Sequence, residues 1–176
     1  MKIGRSGTRA LAAGLFLLQA VAASAQIVIG QTADFNGQAG AYVREARLGA
    51  TLYFDAVNEQ GGIHGQKIEL VSIDDDADPQ RAASNARTLL EGWNALALFL
   101  SHGTGTSQSA ASAAAPFKAA LIGPSSGAHG LRQPVLSNVF NVRASYRREL
   151  QQAMRSMQRV GMERSALHRK IKSLGL

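Results

Sequence analysis

Hydroxyl and amide donors gather in three short stretches of this 176-residue chain. Residues 101–106 read S-H-G-T-G-T, and residues 123–130 read G-P-S-S-G-A-H-G. Residues 32–40 carry Asp34, Asn36, Gly37 and Gly40. Glycine leaves backbone N–H groups open to a ligand, and each Ser or Thr adds a hydroxyl that both donates and accepts. That chemistry suits the holding of a small polar solute and suits catalysis poorly. The segment G-T-G-T-S at 103–107 lacks the Lys of a phosphate loop and the third Gly of a dinucleotide fingerprint. There is no G-x-S-x-G elbow and no nucleophile paired with a base. Asp74, Asp75, Asp76 and Asp78 break the alternation of a calcium loop at residues 77–79, and read as a solvated loop ending in a helix cap. His64, His102, His129 and His168 share no metal-ligand spacing, and there is no cysteine. No enzyme, cofactor or metal is expected.

The positions of these stretches follow from the elements around them. Strands are expected over 27–30, 67–73, 95–100, 120–122 and 139–142. Helices are expected from about 41 to 60, over 79–91 and over 107–115. In the first helix Tyr42, Ala46, Gly49, Ala50, Tyr53 and Val57 recur at helical spacing and are assigned to its inner face. Gly61, Gly62 and Gly65 supply the turn that follows, and Asp78-Pro79 starts the next helix. Strands alternating with helices predict an α/β fold with a parallel, doubly wound sheet. All three donor-rich stretches then fall at the carboxyl ends of strands, where such sheets bind ligands.

Charge divides the chain. The net charge is +7, yet residues 26–146 hold eight Lys/Arg against ten Asp/Glu, whereas residues 147–176 hold eight against two. At the N-terminus Lys2, Arg5 and Arg9 precede the apolar run 10–22, and Ala23-Ser24-Ala25 supplies a small-x-small cleavage site. This is the pattern of a secretory signal peptide over 1–25, with a mature chain from about Gln26. The expected domains are therefore a signal peptide (1–25), an α/β domain (26–143) and a helical basic tail (144–176).

Three segments carry a resemblance. They are I-V-I-G-Q-T-A-D-F-N-G, then N-E-Q-G-G-I-H-G-Q-K-I-E-L-V-S-I-D-D-D-A-D-P, and G-P-S-S-G-A. Together they resemble the N-terminal lobe of type I periplasmic solute-binding proteins of the leucine/isoleucine/valine-binding kind, over about residues 26–143. The resemblance implies a periplasmic substrate-binding component of an ABC importer for branched-chain or related amino acids or small molecules. The implied partners are an amino-acid-like ligand and the importer's membrane subunits. It implies that Gly103 and Thr104, with Ser125, Ser126 and Gly127, receive an amino acid's α-carboxylate and α-ammonium, and that Phe35 walls the cleft. Members of the family continue into a second lobe, whereas this sequence stops soon after the first crossover, so weak ligand affinity is expected of the chain alone.

The tail reads differently. Over 145–159, Tyr146, Leu150, Ala153, Met154 and Met157 form one apolar stripe. From Met162 to Leu176 the sequence resembles the recognition helix of Fis-type helix-turn-helix modules. That resemblance implies that Arg164, Ser165, His168 and Arg169 face a major groove, with Lys170 and Lys172 near phosphate. The alternatives to solute binding are thus a DNA-binding transcriptional regulator, or a non-functional fusion fragment.

Overall fold

The structure, a computed structural model, describes residues 26–159 and residue 169. Five parallel strands form one sheet in the order β2-β1-β3-β4-β5. They are β1 (Ile27–Ala33), β2 (Ile68–Asp74), β3 (Ala97–Phe99), β4 (Ala120–Ile122) and β5 (Val139–Phe140). The helices between them are α1 (Gly40–Glu59), α2 (Pro79–Arg87) and α3 (Thr104–Ala114), and α4 (Tyr146–Arg159) follows the last strand. The chain passes from β1 to β2 on one side, then from β2 across to β3 on the other side of β1. The order therefore reverses beside β1, and that reversal opens a crevice at the carboxyl edge.

Small residues set the packing. Ala86, Leu89 and Leu90 from the α2 region meet Leu98 and Leu121 from the sheet and Ala110, Ala111 and Ala114 from α3, all buried. Side chains alternate across a strand, so Phe99 points to the opposite face, where its ring centroid lies 6.0 Å from that of Phe54 on α1. After Arg87 the helix widens into a π turn, Thr88–Gly92. Leu89 and Leu90 are both buried within this turn.

Several expected boundaries shift. The first strand runs three residues beyond 30, to Ala33, while the third is shorter than 95–100. The helix expected from 107 begins at Thr104, which turns Gly103-Thr104 from loop into a helix N-terminus. In α1, Val43 is buried and Ala46, Ala50 and Val57 are half-buried, but Tyr42 and Tyr53 are 54% and 69% exposed. The tyrosines were expected inside. The smaller residues pack against the sheet instead, with Phe54 as the large inward ring.

The turn at residues 61–65 is fixed by backbone geometry. Gly62 has φ +72°, and a Cβ there would collide with the carbonyl of Gln66. Asn58 locks the turn to the sheet: its Nδ2 donates to Ile68 O (2.8 Å), and Ile68 N donates to its Oδ1 (2.7 Å). Asp78 caps α2 by accepting from Gln80 N at 2.8 Å. No helix among the described residues is long and apolar enough to cross a membrane.

Candidate functional site

The site forms where α3 begins. Gly103 has φ +89° and precedes the first residue of α3, so the helix presents its free N–H groups at the carboxyl end of β3. The loop after β4 runs alongside, because Ser125 N donates to Ser101 O at 2.7 Å. That contact brings Thr104 and Ser126 together, with their hydroxyl oxygens 2.9 Å apart. Ser126 also accepts from Ala128 N at 3.2 Å, which holds its rotamer. Gly127 is buried beside it. Hydroxyls and N–H groups at a helix N-terminus form a receptor for an anionic group such as a carboxylate.

The structure thus brings together Gly103, Thr104, Ser125, Ser126 and Gly127. Phe35 stands apart. Its ring lies under the Arg47 guanidinium, 5.7 Å from the centroid, its N–H donates to Asp74 Oδ1, and its carbonyl accepts from Arg44. The family resemblance implied a cleft wall here, but the loop turns this ring back onto α1.

Two residues that sequence reasoning left out join the group. The Tyr42 hydroxyl lies 3.0 Å from Ser125 Oγ, and its ring centroid lies 5.5 Å from that of His102. A cavity of about 630 Å³ opens here, lined by Tyr42, Leu100, His102, Ser125, Val142 and Arg143. A second, of about 460 Å³, is lined by Asp34, Gln38, Pro79, His102, Thr104 and Thr106. His102 lines both. Burial holds the His102 pKa below the ordinary histidine value and favours the neutral ring, with the Asp34 charge opposing. The signal for Tyr42 was its place in the first turn of α1, beside the same edge as the loops.

The acidic segment has a structural role. Asp75 is fully buried, accepts from Thr32 Oγ1 (3.0 Å) and from Ala77 N (3.0 Å), and Thr32 in turn accepts from Asn85. Burial raises its pKa above the ordinary carboxylate value. Asp74 accepts from Phe35 N, Asp76 N and Asn36. Among the described residues no group of three or more His, Asp or Glu is placed to hold a metal ion.

A sequence profile described as periplasmic binding protein matches residues 26–170. The chain belongs to the periplasmic binding protein family. An amino acid binding protein of Pseudomonas aeruginosa is 32% identical over 97 residues, which are 55% of this chain and 26% of that protein. Among solved structures, a possible leucine/isoleucine/valine-binding protein from Rhodopirellula baltica superposes with a TM-score of 0.72 at 27% identity, covering 78% of this chain and 37% of the other. The branched-chain amino acid transporter substrate-binding protein of Streptococcus pneumoniae, solved with isoleucine, superposes with a TM-score of 0.64 at 28% identity, covering 69% and 34%. This chain therefore spans about a quarter to two-fifths of the length of these relatives. Its five-stranded sheet is the N-terminal lobe of a type I periplasmic binding protein.

The family match also runs past residue 143, through α4 and into the basic tail. The helix-turn-helix reading gains no support from these relatives. Arg164, Ser165, His168 and Lys172 lie outside the described residues, and Arg169 is helical and exposed.

Proposed function

We propose that this chain is the N-terminal lobe of a periplasmic substrate-binding component serving an ABC importer for branched-chain or related amino acids. The observation that carries this reading is the meeting of Gly103-Thr104 at the start of α3 with Ser126-Gly127 after β4. The α-carboxylate accepts from the Thr104 and Ser126 hydroxyls and from N–H groups of the helix N-terminus. Tyr42 and His102 line the groove beside it, where the remainder of the solute lies. The chain reaches the periplasm through the signal peptide 1–25 and loses it after Ala25. Intact-mass analysis of the periplasmic fraction should find a chain beginning at Gln26, and full-length protein confined to the cytoplasm would contradict export.

Amide NMR with L-leucine, L-isoleucine and L-valine is expected to move the resonances of Gly103, Thr104 and Gly127 at millimolar ligand. Shifts confined to other residues, or none, would contradict the reading.

A further inference from the structure

One side chain holds the loop that carries Ser126 and Gly127. Arg132 follows the short turn His129–Leu131, which is anchored by the buried Leu131. From there its guanidinium returns to the loop after β4. Nη1 donates to Ser126 O (3.1 Å) and to Ala128 O (3.0 Å), and Nη2 donates to Arg143 O (2.6 Å). The carbonyl between them, Gly127 O, accepts from Tyr146 N at 2.9 Å. The carbonyls of 126, 127 and 128 are thus all committed, two of them to one guanidinium. A planar trans peptide points its N–H opposite to its C=O. Drawing Ser126 O onto Arg132 therefore sends the Gly127 N–H to the other side. Drawing Gly127 O onto Tyr146 N does the same for the Ala128 N–H, which donates at 3.2 Å to Ser126 Oγ, the hydroxyl that meets Thr104.

We infer that Arg132 is a positioning residue of the anion receptor: it draws the Ser126 and Ala128 carbonyls away and leaves the Gly127 N–H and the Ser126 hydroxyl for the solute's carboxylate. A carbonyl oxygen turned the other way would repel that carboxylate. The role rests on the proposed solute-binding reading and adds to it a residue that acts through the loop. The residue type fits the task. A guanidinium is a rigid planar fork of five N–H donors, so one half-buried side chain can serve three carbonyls at once. The third of these, Arg143 O, belongs to the segment between β5 and α4, so the same fork ties that segment to the loop. A lysine would bring the same charge as a point on a flexible stem, without the fork. Charge and geometry can therefore be separated.

The test has two arms on the full chain. In the first, L-leucine is titrated by amide NMR into wild type, Arg132→Lys and Arg132→Met. Both variants are expected to bind about tenfold more weakly. The Gly127 amide of the ligand-free variants should move, while the amides of Asn58 and Ile68, at the joint between α1 and β2, stay in place. Wild-type affinity in Arg132→Lys would reduce the residue to its charge and overturn the positioning role. Wild-type affinity in Arg132→Met would overturn it too. The second arm uses wild type alone and does not depend on how the variants fold. The Arg132 Nη–H resonances should be resolved and should correlate through their hydrogen bonds with the carbonyl carbons of Ser126 and Ala128. A single averaged resonance without those correlations overturns the role even where leucine binds. Wild type that shows the correlations but gives no leucine shifts at Gly103, Thr104 and Gly127 overturns the solute-binding reading itself, and the positioning role with it.

Discussion

At the scale of single residues, the site is a matter of donors. Thr104→Val removes a hydroxyl from the receptor and keeps its shape, so L-leucine affinity should fall about tenfold or more, because hydrogen bonds to charged groups contribute about 1.5–3 kcal/mol. Amide NMR titration of the variant reads that loss directly. Asp75 obeys a different rule. Its pKa is raised in the fold, so its contribution to stability is complete below the unfolded value and is lost as pH rises through the folded value. Asp75→Asn should therefore flatten this part of the profile: urea midpoints of wild type should decline relative to the variant as pH rises from 4 towards neutrality (~4 being the unfolded Asp value). The residues 103–104 and 125–127 were legible in the sequence because hydroxyls and glycines clustered at strand ends. Tyr42 was not. Helical spacing assigned it to an apolar stripe, and periodicity cannot tell a ring that packs in the core from one whose hydroxyl reaches a neighbouring loop.

At the scale of elements, the sheet and its helices were readable from alternation and turn chemistry. Asn58 to Pro79 showed the clearest pattern, and the structure gives the physical reason. Gly62 must take positive φ, Asp78 caps α2, and Asn58 stitches the end of α1 to the start of β2 with two hydrogen bonds. Asn58→Ala breaks both of these bonds and leaves the Ile68 N–H and C=O without that partner. A loss of about 2 kcal/mol is expected by urea denaturation. What the sequence hid was the start of α3. Ser and Thr are weak helix formers with several roles, so residues 104–106 read as loop. Yet Gly103 at φ +89° lets the helix begin at Thr104 and aim its N–H groups at the site. A Cβ at Gly103 would meet Thr106 Oγ1 at 2.8 Å in a backbone conformation that L side chains rarely adopt. Gly103→Ala should thus cost about 1–2 kcal/mol of stability and weaken leucine binding together.

For the whole molecule, the two faces of the sheet differ. α2 and α3 seal one face, whereas on the other α1 covers Phe99 and leaves Ile122 and Phe140 exposed at 37% and 55%. Val142 and Leu96 add exposed apolar surface at 82% and 68%. Surface of this kind promotes association. The double substitution Ile122→Thr and Phe140→Ser should reduce light scattering of concentrated protein while costing little stability, because neither side chain is buried. Unchanged scattering would place the sticky surface elsewhere. The account as a whole rests on carboxylate recognition at one edge of this sheet, and a pair of ligands isolates that claim. Amide NMR is run on the full chain with L-leucine and with L-leucinamide, which keeps the side chain and the amine but has no carboxylate. Leucine should shift Gly103, Thr104 and Gly127 in a saturable manner, and leucinamide should leave them in place at the same concentrations. Equal shifts from both ligands, or shifts from neither, would contradict the central claim.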